Sequence, residues 1–192
     1  FIESAFGFRG AVLFAHNAYR MWLGSAGNDI VFVGSDDSLY FKGNAAFAQS
    51  LGELVRRPEV QAFVKRMVGL DRLMRERGGR FLVIVPPNSQ TIRQDGLPAQ
   101  ARHRSPPRTE YDLAARRLAA RGVTFVDLRA ALRAAGGGEL VYRRNDSHWN
   151  TYGALVGFNA TMAGAGLPEL AMPPDSVLAA PTERWDGDLV RS

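Results

Sequence analysis

The segment 142–154 carries the densest set of chemically active side chains in this sequence. Asp146 and His148 stand two residues apart, and Trp149 and Asn150, the predicted cap of the following helix, come directly after them. In a serine hydrolase a histidine removes the proton of the nucleophile, and an acidic residue holds that histidine in the right tautomer. Residues two apart in a turning segment can point to the same side. The spacing therefore predicts a catalytic pair, with His148 as the base and Asp146 as the acid that orients it.

A structural role is the alternative for this pair, with Asp146 capping a turn and His148 hydrogen-bonded in the core. Three further side chains are candidates for substrate contact. Trp149 or Tyr152 could stack on an apolar face of a substrate, and Asn88 could form a hydrogen bond with it. Equally, Trp149 could pack the Asp–His turn against the sheet, and Asn88 could cap a loop.

Composition narrows the chemistry that the chain can perform. A length of 192 residues suits one domain, and 46% hydrophobic with 22% charged residues rules out general disorder. The absence of cysteine excludes disulfides, a thiolate nucleophile and cysteine zinc sites. The other histidines are only His16, in a predicted helix, and His103, in a basic loop. We therefore predict neither a metal nor a cofactor.

The net charge of +5 is weak evidence for a nucleic-acid partner. Of the 24 basic residues only Lys42 and Lys65 are lysines, and the densest arginine cluster, 102–108, is broken by prolines and has no interleaved aromatic residue. We predict no nucleic-acid binding; a surface that meets an acidic polysaccharide is the rival interpretation.

No apolar run approaches the roughly 20 residues of a membrane span. The sequence begins without Met, which is compatible with a removed signal or N-terminal anchor.

Hydrophobic periodicity predicts an α/β fold in a single domain, 1–192. An amphipathic helix at 1–23 and a hairpin from 30–33 and 39–41 form the N-terminal part, 1–57. The apolar runs at 81–85 and 122–128 are typical of buried parallel strands. Helices are predicted from Pro58, and at 109–120, 129–135 and 151–165. This order predicts a three-layer core at 58–166, a mostly parallel sheet with helices on both faces, followed by an irregular tail at 167–192.

Several motifs, in this order, resemble a known family. The pattern "PP…Y…L…L…GVTFVDL…DSHWNTYGA" is similar to the carboxyl half of SGNH (GDSL-type) hydrolases. The Asp-x-His-Trp-Asn block followed by Gly-Ala resembles the alginate and exopolysaccharide O-acetyltransferases more closely. "FGFRG", "VFVGSDDSLYFKGN" and "VPPNSQTIRQDGLP" are similar to earlier segments of that family, so the resemblance runs from residue 1 to about 165. Asp37 and Ser38 replace the family's Gly-Trp, and Ser89 and Gln90 lie near its usual lysine.

The resemblance implies a flavodoxin-like SGNH fold and an O-acetyltransferase of the periplasm or another extracytoplasmic space. Its partners would be a polysaccharide substrate and an acetyl donor, such as a membrane acetyl-transfer protein. A carbohydrate acetylesterase would use the same residues, with water in place of the sugar hydroxyl. A catalytically dead glycan-binding or scaffold domain is the alternative outside enzymes.

The nucleophile is the member of the triad that this sequence does not identify. In the family that it resembles, the serine belongs to a Gly-Asp-Ser block well after the Asp-x-His pair, and no Gly-Asp-Ser occurs here. We therefore expect the serine to lie outside these 192 residues. Ser38, which follows a predicted strand, and Ser176 are the internal candidates, although both are more typical of turn residues.

Overall fold

The computed structural model describes residues 30–34, 38–97, 109–136 and 141–176. The predicted helix at 1–23, the polar turn at 35–37, the basic loop at 102–108 and the last part of the tail lie outside these ranges.

Two parallel strands lie at the centre of the fold. Strand β3 (Leu82–Ile84) pairs with β4 (Thr124–Val126), and Val83 lies opposite Phe125. The segment between them contains a helix, as a parallel connection requires. The prediction that the two apolar runs form parallel neighbours is confirmed.

An antiparallel hairpin forms a second, separate sheet. Strands β1 (Val31–Val33) and β2 (Leu39–Phe41) pair with Phe32 opposite Tyr40. Tyr40 is fully buried and its hydroxyl donates to the carbonyl oxygen of Arg93, 3.1 Å away. The hairpin is thereby attached to the loop that follows β3.

The four predicted helices begin and end close to their predicted boundaries, whereas two short helices, Ala46–Ser50 and Ser89–Ile92, were not predicted. Pro58, in the first turn of the long helix, cannot donate a backbone hydrogen bond, which is no loss at that position. Thr109 and Asp112 form a capping box at the next long helix. The helices are α1 (Ala46–Ser50), α2 (Arg57–Glu76), α3 (Ser89–Ile92), α4 (Glu110–Ala119), α5 (Arg129–Ala134) and α6 (Thr151–Gly164). Short 3₁₀ turns lie at Gly43–Ala45, Gln94–Gly96, Pro168–Leu170 and Pro174–Ser176.

Two large apolar clusters share the β3–β4 pair. The first joins Val60 and Val64 of α2 and Leu113 and Leu118 of α4 to Val83. The second is built around Val126, Leu128, Leu132, Val141 and Tyr142, with Trp149 packed against it. Neighbouring strand residues therefore contribute to different clusters, as expected for strands that are apolar on both faces.

The sheet differs in one respect from its prediction. Within the described ranges the parallel sheet has two strands, and the other sheet is antiparallel. Ile84 of β3 is 40% exposed, and Leu70 and Met74 of α2 are exposed to a similar degree. The fold is thus α/β with a small strand count, and the three-layer arrangement stays a prediction. In the parts of the chain that the structure describes, no helix is long and apolar enough to cross a membrane.

Glycines on α6 let this helix approach the segment before it. A Cβ on Gly153 would meet the backbone oxygen of Val141 and lie 3.0 Å from Cβ of Trp149. A Cβ on Gly157 would lie 2.9 Å from the Trp149 ring. Because a backbone oxygen cannot rotate away as a side chain does, Gly153 is the stricter of the two requirements.

We expect Gly153→Ala to lower the free energy of unfolding by about 1–3 kcal/mol, because overpacking against backbone outweighs alanine's higher helix propensity. Gly69→Ala is the matched control. Gly69 lies inside α2 with no atom within 4 Å of the added Cβ, so this variant should gain up to about 1 kcal/mol. Urea unfolding followed by circular dichroism measures both. Equal effects of the two substitutions would contradict the close approach of α6.

Candidate active site

Asp146 and His148 form the hydrogen-bonded pair that their spacing predicts. Nδ1 of His148 lies 3.0 Å from Oδ1 of Asp146, and the backbone N–H of His148 donates to the same oxygen at 2.9 Å. The carboxylate therefore fixes both the main chain and the ring. Its contact with Nδ1 leaves Nε2 as the nitrogen available for proton transfer, because the two ring nitrogens lie on opposite sides.

The two members of the pair differ sharply in exposure. The Asp146 side chain is 10% exposed and the His148 side chain 76%. A buried acid that holds an accessible imidazole is the arrangement that a general base requires, since only the histidine has to meet the substrate. The alternative of a core histidine is therefore wrong. The catalytic role itself stays a prediction.

The segment that carries the pair is a closed turn. Tyr142 and Trp149 form an antiparallel bridge, and the N–H of Asn150 donates to the carbonyl of Val141 at 2.9 Å. The side chain of Asn150 accepts from the N–H of Gly153 at 2.8 Å and so caps α6. Asn150, and not Asp146, therefore caps α6. Asp146 does cap the turn, as its structural alternative predicts, by accepting from the N–H of His148, and it contacts the ring as well.

Two contacts attach this turn to the rest of the fold. The buried hydroxyl of Tyr142 donates to the carbonyl of Pro87, which follows β3. The N–H of Leu39 donates to the carbonyl of Arg144 at 2.6 Å, which connects the turn to the hairpin. Burial raises the pKa of Tyr142, so its hydroxyl stays protonated and remains a donor. The turn is therefore held by both sheets.

Arg93 is a buried cation at the junction of these elements. Its guanidinium donates to Oγ of Ser38 and, at 3.5 Å, to the carbonyl of Arg143. The same group lies 5.8 Å from the centre of the Tyr40 ring. Burying a charge is costly unless hydrogen bonds compensate, so these contacts make the junction specific.

The two internal serine candidates lie in different surroundings. Ser38 is fully buried and its hydroxyl is bound by Arg93, so it is not placed to attack a substrate. Ser176 is exposed, in the 3₁₀ turn Pro174–Ser176. Ser147 lies beside the ring, with Oγ 3.3 Å from Nδ1, on the nitrogen that Asp146 already engages.

The predicted substrate-binding residues have separate positions. Trp149 packs against the second apolar cluster and Gly157 of α6, in agreement with its structural alternative. Tyr152 is 36% exposed in the first turn of α6. Asn88 caps α3 by accepting from the N–H and hydroxyl of Thr91, and its amide donates to Ser50. Their roles toward a substrate stay predictions.

The two residues near the family's usual lysine make contacts within the protein. Ser89 and Gln90 are buried, and the amide nitrogen of Gln90 donates to the carbonyl of Phe41 at 3.1 Å. They connect the loop after β3 to the hairpin.

A cleft of about 540 Å³ opens near the carboxyl ends of β3 and β4. Its walls come from the start of α2, the segment 85–88, the first turn of α4 and the exposed side of α5. Asn88 lines the cleft. Neither Asp146 nor His148 is among the described residues that form its walls. Pro87 also lines the cleft, and it accepts the hydrogen bond of Tyr142 at the base of the Asp–His turn. The cleft is therefore separate from the Asp146–His148 pair, but Pro87 contributes both to the cleft wall and to the attachment of the turn that carries the pair.

A charged cluster around Arg129 forms one wall of this cleft. The guanidinium lies 2.8 Å from Asp112 and 2.6 Å from Asp127, and 4.2 Å from the centre of the Tyr111 ring. Tyr111 donates to Asp127 at 3.2 Å, and its ring meets Phe125 edge to face. Burial, together with the charge of Asp127, raises the pKa of Tyr111 and keeps its hydroxyl protonated.

Sequence reasoning missed most of these supporting residues. The Thr109–Asp112 capping box could have been found from its spacing, Thr-x-x-Asp. The contacts of Arg93 with Ser38 and of Arg56 with Glu110 join residues about 55 positions apart, and no local pattern indicates them. Within the described ranges no three acidic or histidine side chains could hold a metal, and His16 and His103 lie outside those ranges.

Comparison with known protein families gives a match over most of the chain. The family described as "SGNH hydrolase-like domain, acetyltransferase AlgX" matches residues 31–191. The chain belongs to this family. The resemblance found in the motifs is thereby confirmed.

A solved structure supports the fold. The O-acetyltransferase domain of Pseudomonas putida AlgJ superposes with a TM-score of 0.55 at 19% identity, over 83% of this chain and 56% of that one. The present chain thus spans little more than half of the matched domain. No curated protein matches the chain significantly.

The carboxylates around Arg129 predict an acid-dependent stability. Burial opposes ionisation of Asp112 and Asp127, but hydrogen bonds from Thr109 and Arg129 to Asp112, and from Arg129 to Asp127, outweigh it. Both pKa values therefore lie below their ordinary range in the folded protein. The stabilisation is fully present above the unfolded values, near about 4, and is lost as pH falls through the lowered folded values.

We expect the free energy of unfolding in urea to fall from about pH 5 downward, and Arg129→Met to flatten this dependence. Arg133→Met is the control, because Arg133 donates to the carbonyl of Thr91 rather than to a carboxylate. An Arg129→Met protein with the wild-type pH slope would show that the pairs contribute nothing to it.

Proposed function

We propose that the chain is the Asp–His-bearing part of an O-acetyltransferase that acts on an extracytoplasmic polysaccharide. The observation that carries the proposal is the 3.0 Å contact between buried Asp146 and the exposed ring of His148. Membership of the acetyltransferase AlgX family supports the reaction class. The proposal includes a three-layer SGNH arrangement and a periplasmic location, as the family resemblance implies.

In the proposed reaction a serine Oγ attacks the carbonyl carbon of an acetyl donor while Nε2 of His148 takes its proton. The tetrahedral intermediate collapses, the donor's leaving group receives that proton, and an acetyl-serine remains. A sugar hydroxyl then attacks the acetyl carbon, His148 takes the hydroxyl proton, and the serine oxygen leaves and is reprotonated. Asp146 holds Nδ1 throughout and stabilises the imidazolium. The acetyl donor could be a membrane acetyl-transfer protein.

We propose that the nucleophilic serine lies outside these 192 residues. Ser38 is enclosed by the hairpin and Arg93, and Ser147 faces the Nδ1 side of the ring. Neither position lets a hydroxyl stand between Nε2 and a substrate. Tyr152, exposed near the pair in sequence, remains our candidate for stacking on the acceptor sugar; Trp149 and Asn88 are proposed as weaker contacts.

We expect the 192-residue chain alone to hydrolyse p-nitrophenyl acetate barely above background, and His148→Ala to change that rate little. A longer version of the protein that includes a Gly-Asp-Ser block should be active. In that version His148→Ala and Asp146→Asn should each lower kcat by about 10³-fold or more, because the base is lost or held in the wrong tautomer. Ser38→Ala, compared per folded molecule, should keep the rate.

Robust activity of the short chain that disappears with Ser38→Ala would place the nucleophile in the hairpin and overturn this assignment. Transfer to an oligosaccharide and hydrolysis are separated by the acetylated product: release of acetate alone, with no acetylated sugar at high acceptor concentration, favours the esterase. Glycan binding by the longer version without any turnover favours the scaffold.

A further inference from the structure

The cleft beside the β3–β4 edge contains balanced charges, and most of them are already paired within the protein. Its described walls include three arginines, Arg56, Arg129 and Arg133, and three acidic residues, Glu59, Glu110 and Asp112, so the formal sum over these residues is 3 − 3 = 0. Arg133 is engaged by a backbone carbonyl, that of Thr91, rather than by a carboxylate. An acidic sugar needs an excess of cations, or at least one cation that is not engaged by the protein itself. The sum alone therefore disfavours a polyanionic ligand.

The pairing is more decisive than the sum. Arg56 donates from Nε and one terminal nitrogen to the two oxygens of Glu110, at 2.9 and 2.8 Å. These contacts hold the pKa of Glu110 below its ordinary range. Arg129 is engaged on both sides, by Asp112 and Asp127. A uronate carboxylate would have to displace one of these bidentate partners, whereas a hydroxyl group would not.

The same pairs suit hydroxyl groups. A carboxylate has about four lone-pair sites. Arg56 occupies three of those on Glu110, and Thr109 and Arg129 together occupy three of those on Asp112. The site that remains on each can accept a hydrogen bond from a sugar hydroxyl, and the amide of Gln94 on the rim can both donate and accept.

An apolar surface lies between these polar groups. Phe63, Val85, Pro86 and Phe125 line the cleft together with Tyr111. The Tyr111 ring is fixed by the Arg129 guanidinium at 4.2 Å and by Phe125 at a ring-centre distance of 5.2 Å. A preformed aromatic surface with a polar rim matches a pyranose ring, which has C–H groups on its faces and hydroxyls at its edge.

We propose that this cleft is a binding subsite for an uncharged, hydroxyl-rich segment of a glycan, separate from the Asp146–His148 pair. The inference rests on the proposed function only in taking a polysaccharide as the substrate. It adds a substrate class: neutral hexose units occupy the cleft, and uronate units do not.

Isothermal titration calorimetry of the full chain tests this with two probes, β-1,4-linked mannohexaose and a hexasaccharide of β-1,4-linked mannuronate. We expect the neutral probe to bind at least about fivefold more tightly than the hexauronate. Glu110→Gln should reverse this order, because it leaves Arg56 without its carboxylate. Glu59→Gln changes the net charge equally but leaves both arginine pairs in place, and it should keep the neutral preference.

Tyr111→Leu should weaken the neutral probe about tenfold, the loss expected of an aromatic contact with a sugar ring. Urea unfolding of each variant shows whether it is folded at the titration temperature, and Glu110→Gln keeps the test decisive if Tyr111→Leu is not. Tighter binding of the hexauronate by the wild type, binding of neither probe at several millimolar, or no effect of Glu110→Gln would each overturn the proposal.

Two further results separate this inference from the proposed function. Binding of mannohexaose that is unchanged by His148→Ala supports a subsite distinct from the pair, and loss of binding in that variant overturns it. Acetyl transfer that depends on His148 in a protein that does not bind the neutral probe would overturn the subsite while the proposed function stands.

Discussion

One carboxylate oxygen determines the geometry of the turn that contains Asp146 and His148. Oδ1 of Asp146 accepts from both the backbone N–H and the ring Nδ1 of His148, two residues away. A single acceptor thereby fixes the turn and the orientation of the imidazole together. Because hydrogen bonds to an ionised group are stronger than neutral ones, and Asp146 is largely buried, the pair is preorganised before any substrate arrives.

The surroundings of this oxygen explain the arrangement of the neighbouring elements. The Asp–His turn begins at the second apolar cluster, exposes the ring of His148 to solvent and ends where α6 starts. Tyr142 and Trp149 close the turn on the core side, and Asn150 begins the helix. Gly153 permits α6 to lie directly against Val141, since any side chain there would separate them. The position of the exposed histidine thus depends on a glycine five residues further along the chain.

Local patterns predicted the parts of the fold whose causes are local. The Asp-x-His spacing, the Asn150 cap and the proline at the start of α2 lie within a few residues of their effects, and the helix boundaries followed within one or two positions. The parallel pairing of β3 with β4 was also predictable, because two uninterrupted apolar runs joined through a helix leave few other arrangements.

The remainder depends on contacts between distant parts of the chain. The buried Arg93, its contact with Ser38 and the attachment of Tyr142 to Pro87 join segments 55 residues apart, and nothing in the residues nearby requires them. The burial of individual strand residues was harder to predict for a related reason: an apolar run indicates burial, but the elements that cover it are set by the whole chain. Ile84, apolar yet 40% exposed, illustrates the difference.

Separation of the cleft from the Asp146–His148 pair has a physical consequence for how such a site would work. Groups that bind a remote part of a substrate supply free energy that can be used to orient the reacting group. Pro87 belongs to the cleft wall and also accepts the hydrogen bond of Tyr142 at the base of the Asp–His turn. A glycan held in the cleft would therefore rest on the same short segment that supports His148. Recognition through paired charges rather than free cations would then select the sugar by its hydroxyl groups, which are also the groups that accept an acetyl.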